Sequence, residues 1–259
     1  MTHAAPLCLH PMAQHLTIVT GASRGLGHAL AVQLAREGHR LLLLSRRPPE
    51  PTVNGAAAVE HWSVDLAQAT DVAQRLQDWL QAPAQAGFAS ATLINNAGVV
   101  SQLAPLAALQ FDDLVNAVRV GLEAPMLLTA AFLRGTATWL GPRKVLLISS
   151  GLGRRAMAGS ASYCAAKAGL DHLARAVALE ESSRVNGARI VSLAPGVIDT
   201  DMQLQLRTAD AGQFPDRERF LGLKAAGQLD SPQQAAAKVL HCLARADFGE
   251  HPVADVRDP

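Results

Sequence analysis

Six short runs of apolar, β-favouring residues recur along the chain, separated by stretches with helical spacing: LTIVT (16–20), LLLLS (41–45), VEHWSV (59–64), ATLIN (91–95), KVLLIS (144–149) and ARIVSLA (188–194). This alternation constrains the fold more than any other feature. A strand that is apolar at consecutive positions has to be covered on both faces, and helices between such strands supply the cover. The expectation is an α/β fold, a doubly wound parallel sheet. The Pro-rich stretch RRPPEPTVNG (46–55) reads as a loop rather than a linker, because strand and helix patterns resume after it on the same schedule. One domain over 16–259 is therefore expected, preceded by a flexible N-terminal arm at 1–15 in which Met12 is an alternative start.

Composition removes several classes. With 23 Lys and Arg against 22 Asp and Glu, the net charge of +1 gives no nucleic-acid footprint. Cys8, Cys164 and Cys242 are odd in number and lack CxxC or Cys/His ligand spacing, so they read as free thiols in a reducing compartment, with no metal site. No apolar run is read as approaching the ~20 residues that cross a bilayer, and MTHAAPLCLHPMAQH lacks the pattern of a secretion signal. A cytoplasmic protein without membrane contact is expected.

TGASRGLG (Thr20–Gly27) directly follows the first run and opens a helix expected to reach about Gly38. Glycines there permit a tight turn and let the backbone approach a pyrophosphate at a helix N-terminus, the Rossmann-type arrangement. Gly21, Ser23, Arg24, Gly25, Leu26 and Gly27 are the candidate nucleotide-contacting residues of this turn. The second run ends LLLLSRR, without the carboxylate that would hold ribose hydroxyls. Arg46 or Arg47, together with Arg24, is placed to pair with a 2′-phosphate, which favours NADP(H) over NAD(H). VD (64–65), NNAG (95–98), ISS (148–150) and APG (194–196) fall at the ends of successive strands, where an open α/β sheet binds ligands. YCAAK (163–167) contains the only tyrosine of the chain, and a helix puts Tyr163 and Lys167 on one face. An ammonium ion there favours phenolate, so Lys167 is expected to lower the Tyr163 pKa.

These motifs, in this order over nearly the whole chain, resemble the short-chain dehydrogenase/reductase family. The resemblance implies that Ser150 hydrogen-bonds a substrate carbonyl, Tyr163 donates the proton, and Lys167 adjusts the tyrosine and holds the ribose. It also implies cofactor contacts from Asp65 near the adenine, from Asn95, Ala97 and Gly98 along the cofactor, from Pro195 and Gly196, from Ile198 at the nicotinamide amide, and from Thr200 near the phosphates.

The C-terminal third, APGVIDTDMQLQLR, FLGLKAAGQLDSPQQAAAKVL and ADFGEHPVADVRD, is similar to the sepiapterin reductase and bacterial benzil reductase branch, and the usual Gly-rich seventh strand is not recognisable. That implies a small-molecule carbonyl substrate, a vicinal dicarbonyl or a pterin side-chain ketone, with Asp255 matching a pterin-anchoring carboxylate. The alternatives are a 3-oxoacyl or sugar ketoreductase, or an NADP-sensing protein without turnover. Residues 201–225 are expected to form a mobile substrate cover, with Met202, Leu206 and Phe214 either shaping the pocket or packing helices. A homo-oligomer, dimer or tetramer, follows from the same resemblance.

One departure stands out. Gly121 occupies the place of a family Asn that supports proton relay, and Asn116 lies off the required face. Pro125 lacks an N–H, so a kink is expected that leaves the Gly121 carbonyl unpaired; either that carbonyl holds a relay water, with Asn at 121 tolerated, or Gly121 only relieves crowding around the kink.

Overall fold

The computed structural model describes residues 14–50, 53–55, 58–85 and 87–258. The expected arm lies outside the described residues apart from Gln14 and His15, and His15 is not arm but the first residue of β1, in register with His39 and Ser90. In chain order the elements are β1 (His15–Thr20), α1 (Gly25–Leu34), β2 (His39–Ser45), β3 (Ala58–Ser63), α2 (Ala69–Gln81), β4 (Ser90–Asn95), α3 (Phe111–Val118), α4 (Ala124–Gly135), β5 (Arg143–Ile148), α5 (Ala161–Ser182), β6 (Arg189–Ala194), α6 (Asp201–Thr208), α7 (Arg217–Ala225), α8 (Pro232–Ala244) and β7 (Val253–Asp255).

All seven strands are parallel, in the order β3-β2-β1-β4-β5-β6-β7. Alternate side chains of each strand enter opposite cores. Leu42 and Leu44 pack with α2, α4 and α5, whereas Leu41 and Leu43 pack with α1 and α8. That is why β2 is leucine at four successive positions, all solvent-inaccessible. Each leucine so buried contributes about 1.5–3 kcal/mol relative to an exposed one. The order reverses between β1 and β4, and the crevice beyond the C-terminal ends of those strands is where open α/β sheets take ligands.

Three expectations are corrected. β7 exists, paired with β6 from Ser192–Val253 to Ala194–Asp255; three residues behind Pro252 are too few to show a period. Helix α1 stops at Leu34, where Ala35 turns to ψ 75°, and Gly38 instead makes the left-handed turn into β2 at φ +78°. At the place where the Pro125 kink is expected, the helical stretch Phe111–Gly135 contains a π turn at Arg119–Glu123, in which the Ala124 N–H donates to the Arg119 carbonyl five residues back. The extra residue of a π turn adjusts the backbone locally. That 25-residue helical stretch is also long and apolar enough by composition to cross a membrane, contrary to the reading of the runs; 44 % of its apolar window is buried, and α4 supplies core residues such as Leu128 and Phe132.

Candidate active site

The turn after β1 is shaped by close approach. A Cβ on Gly21, which has φ +67°, would lie 2.9 Å from Ala97 Cα, and one on Gly27 would lie 2.3 Å from the Gly21 carbonyl oxygen. Asn96 locks the arrangement, its Nδ2 donating to the carbonyls of Thr20 (3.0 Å) and Gly21 (3.3 Å). Thr20 Oγ1 accepts from the backbone N–H groups of Asn96 and Ala97, both at 2.9 Å. Asn96 was absent from the residue-level expectations, although its place within NNAG was the available signal.

Helix α1 begins at Gly25 with no side-chain cap and no acidic residue in its first turn. Its first N–H groups and positive dipole end therefore face the crevice without an internal anion. Together with the glycine cradle this fits a nucleotide pyrophosphate. Ser23 is half-buried and Gly25 takes φ +56°, whereas the Leu26 side chain is buried in the core with α8, leaving its backbone to the turn. Arg24 pairs with Asp201 of α6, spanning the crevice. Arg46 and Arg47 are exposed beyond β2 and have no ion-pair partner among the described residues; Ser63 and Ser45 donate to their carbonyls.

Asp65 is exposed and accepts from the Ala67 N–H at 3.0 Å, capping a short 3₁₀ turn. Asn95 is buried, its Nδ2 donating to Thr129 Oγ1 at 3.2 Å, while its Oδ1 has no partner among the described residues. Gly98 faces α5: a Cβ there would sit 3.7 Å from Lys167 Nζ. At the end of β6, Pro195 is buried, Gly196 takes φ +81°, Ile198 bridges Asp230, and Thr200 precedes α6.

Ser150 follows β5 and opens a 3₁₀ turn, its Oγ accepting from the Leu152 N–H at 3.2 Å. Ser150 comes close enough to the Tyr163 hydroxyl to draw its pKa down, so the residues thirteen apart meet. Lys167 Nζ lies 5.5 Å from the centroid of the Tyr163 ring and donates to the Ile148 carbonyl at 2.7 Å. The expected direction of the tyrosine shift is corrected. Burial pushes Tyr163 up to about 12, opposed by the Ser150 hydrogen bond and aided slightly by Cys164. The tyrosine is half-buried, and the ammonium bonds to Ile148 rather than to the phenol oxygen. Burial likewise brings Lys167 down to about 8, opposed by Asp171. At neutral pH the pair is thus a protonated phenol beside an ammonium ion. Asp171 was missed, although its spacing of four from Lys167 places it on the same helical face.

On the substrate side, Met202 is half-buried on α6. Leu206 and Phe214 pack with Leu103, Met157 and Phe220, which makes them anchors of the 201–225 cover. A cavity of about 270 Å³ lies between Gln102 and Leu103 on one side and Gln205, Thr208 and Gln213 on the other. Asp255 is 8 % exposed and is engaged twice, by Arg257 at 2.6 and 2.7 Å and by Arg154 at 3.9 Å. Those arginines hold its carboxyl below the usual carboxylate range, the Arg257 hydrogen bond contributing most.

Residues 15–211 match the short chain dehydrogenase family. The chain is 34 % identical over 236 residues to a benzil reductase ((S)-benzoin forming) of Bacillus cereus, covering 89 % of this chain and 94 % of that one. It is 32 % identical over 247 residues to sepiapterin reductase of Meriones unguiculatus, covering 89 % and 92 %. A solved Agrobacterium tumefaciens dehydrogenase with bound NADP is 28 % identical, with a TM-score of 0.75 over 95 % of this chain and 96 % of that one.

Proposed function

The chain belongs to the short-chain dehydrogenase/reductase family, an oxidoreductase fold that takes a nicotinamide cofactor, and from that premise we propose that it reduces a small vicinal dicarbonyl with NADPH. The observation that carries the reading is Ser150 beside Tyr163 with buried Lys167 one turn beyond on the same helix. The N-terminus of α1 and the glycine turn hold the pyrophosphate, Arg24, Arg46 and Arg47 the 2′-phosphate, Asp65 the adenine end, and Asn95, Ala97, Gly98, Pro195, Gly196, Ile198 and Thr200 the remainder. When bound, the cofactor supplies hydride to the carbonyl carbon. Negative charge then builds on the carbonyl oxygen, which Ser150 Oγ–H stabilises by donating a hydrogen bond, and the Tyr163 hydroxyl transfers its proton to that oxygen. The product is an alcohol, and Lys167 stabilises the phenolate left behind.

The state of Asp255 favours the dicarbonyl over the pterin ketone. A pterin needs a free carboxylate to pair with its amino edge, and Arg257 already occupies both oxygens. An uncharged dicarbonyl makes no such demand, and the cover with Met202 is the remaining wall. The relatives that act on benzil and sepiapterin support this class. NADPH and NADH oxidation against benzil, sepiapterin, a 3-oxoacyl thioester and a simple aldehyde tests it. Turnover is expected with benzil and NADPH; a preference for the thioester overturns the substrate assignment, and failure with every carbonyl favours an NADP-sensing role.

The protein is further expected to be cytoplasmic and to form a dimer or tetramer. Phe111 (84 % exposed), Val115, Val118 and Met126 form an exposed apolar stripe along one helical face, which supports pairing of two copies. Light scattering in solution tests the oligomeric state.

A further inference from the structure

A second buried charge lies beside Lys167, and proton donation as described does not use it. Asp171 is one turn further along α5 and only 2 % exposed. Its Oδ1 accepts hydrogen bonds of 2.7 Å from both Ser149 Oγ and Ser192 Oγ, and its Oδ2 accepts one of 3.2 Å from Arg154 Nε. These partners come from three places: the residue immediately before Ser150, the interior of β6, and the turn that Ser150 opens. That turn presses so closely on α5 that a Cβ on Gly153 would lie 2.9 Å from both Asp171 Oδ2 and the Lys167 carbonyl oxygen. A buried carboxylate is tolerated only where hydrogen bonds and a nearby cation compensate its lost hydration. Here the hydrogen bonds are complete, and the cations are Arg154 and Lys167.

We propose that Asp171 is a positioning residue: its carboxylate is the buried counter-charge that keeps Lys167 cationic, and through Ser149 and Arg154 it holds the Ser150 turn in register with Tyr163. The role rests on reading Ser150, Tyr163 and Lys167 as the reducing site. The surroundings of Lys167 leave Asp171 as the principal source of negative charge. On its own helix it faces Tyr163 and Asp171. From β5 it meets the neutral Ile148 carbonyl, and from the loop after β4 it meets Gly98. The π turn presents Gly121 to α5, with Arg119 and Glu123 exposed. From β7, Asp255 approaches only through Arg154, and Arg257 already neutralises it. Arg154 therefore works against Asp171, drawing its charge away from Lys167, and the two residues have opposite effects on the lysine.

This opposition supplies the test, and it needs no cofactor. Thermal unfolding of the full chain between pH 6 and 10, each variant with and without Lys167→Met, isolates the lysine titration. A lysine near 8 when folded and 10.5 when unfolded binds fewer protons in the fold between those values, so its contribution to stability rises as pH passes about 8. Asp171→Asn is expected to move that onset down, because removing the nearby opposite charge disfavours the ammonium form. Arg154→Gln is expected to move it up, and it remains informative if Asp171→Asn does not fold. The alkaline limb of kcat with benzil moves in the same directions, with KM little changed. An onset unmoved in folded Asp171→Asn, or lowered by Arg154→Gln, overturns the proposal. A wild type without carbonyl turnover that shows the two opposite shifts supports the counter-charge while overturning the reading of the site as a reductase.

Discussion

The backbone at Gly121 and the methyl group of Ala166 are in direct contact: a Cβ on Gly121 would lie 3.1 Å from Ala166 Cβ, one residue before Lys167. The π turn is thus pressed onto the catalytic helix where the family resemblance implies an Asn. Whether Asn fits at 121 therefore turns on Ala166 yielding by a few tenths of an ångström. Gly121→Asn is predicted to cost about 1–3 kcal/mol through overpacking, a fall in Tm of roughly 2–4 °C per kcal/mol for a chain of this size. Unfolding scans check it, and an unchanged Tm removes the packing argument.

Pro125 offers no N–H to the carbonyls of Val120 or Gly121, whichever helical register is followed. If the Gly121 carbonyl holds a water that passes protons toward Lys167, Pro125→Ala introduces a competing donor and slows proton delivery. The predicted outcome is a lower kcat with an altered solvent isotope effect. A folded variant with unchanged kcat and pH profile excludes that carbonyl from the mechanism.

Tyr163→Phe removes the only proton donor of the proposed site while keeping its ring. Reduction is expected to fall by about 10²–10⁴-fold or more, with NADPH binding nearly intact. Ser150→Ala is expected to lower kcat by about 10²–10³-fold. Cofactor fluorescence titration beside steady-state kinetics separates the two quantities, and substantial turnover by Tyr163→Phe contradicts the assignment.

The pH dependence follows from the two shifts at the centre. Tyr163, pushed up to about 12, stays protonated through the working range, whereas Lys167 loses its charge as pH rises through about 8. The carbonyl-reduction kcat is predicted to decline through about pH 8 without a separate tyrosine limb below 10. Stability moves the other way, rising from about 8 towards 10.5, because the unfolded lysine holds the extra proton there. A kcat that climbs between pH 8 and 10 excludes cationic Lys167 as the supporting group.

Arg46→Ala and Arg47→Ala are each predicted to lower kcat/KM for NADPH by roughly 10- to 150-fold if charge-assisted contacts of about 1.5–3 kcal/mol are lost, with little change for NADH. Arg24 differs because Asp201 already pairs with it. That pair is exposed, so Asp201→Asn should improve KM for NADPH by no more than about fivefold. A wild type that prefers NADH refutes the 2′-phosphate assignment.

The order of chemistry along this chain is local information. Four consecutive leucines announce a strand buried on both faces, a glycine turn after the first strand announces a nucleotide cradle, and Tyr163 and Lys167 share a face because a helix repeats every 3.6 residues. Six of the seven strands and the shared helical face of Tyr163 and Lys167 were legible for that reason, whereas Ser150 entered only through the family resemblance. What sequence by itself left open depends on contacts between distant segments. β7 is three residues long and exists because Pro252 and Asp255 find β6. The tyrosine shift reversed because desolvation is set by everything packed around a phenol, not by the lysine four positions away. Asp255 became an ion-paired residue because Arg154 and Arg257 reach it in space, and Asp171 became a hub because β5, β6 and the Ser150 turn converge on one carboxylate. Spacing within a helix is a property of the chain, whereas burial and charge balance are properties of the packed whole, and only tertiary structure decides them.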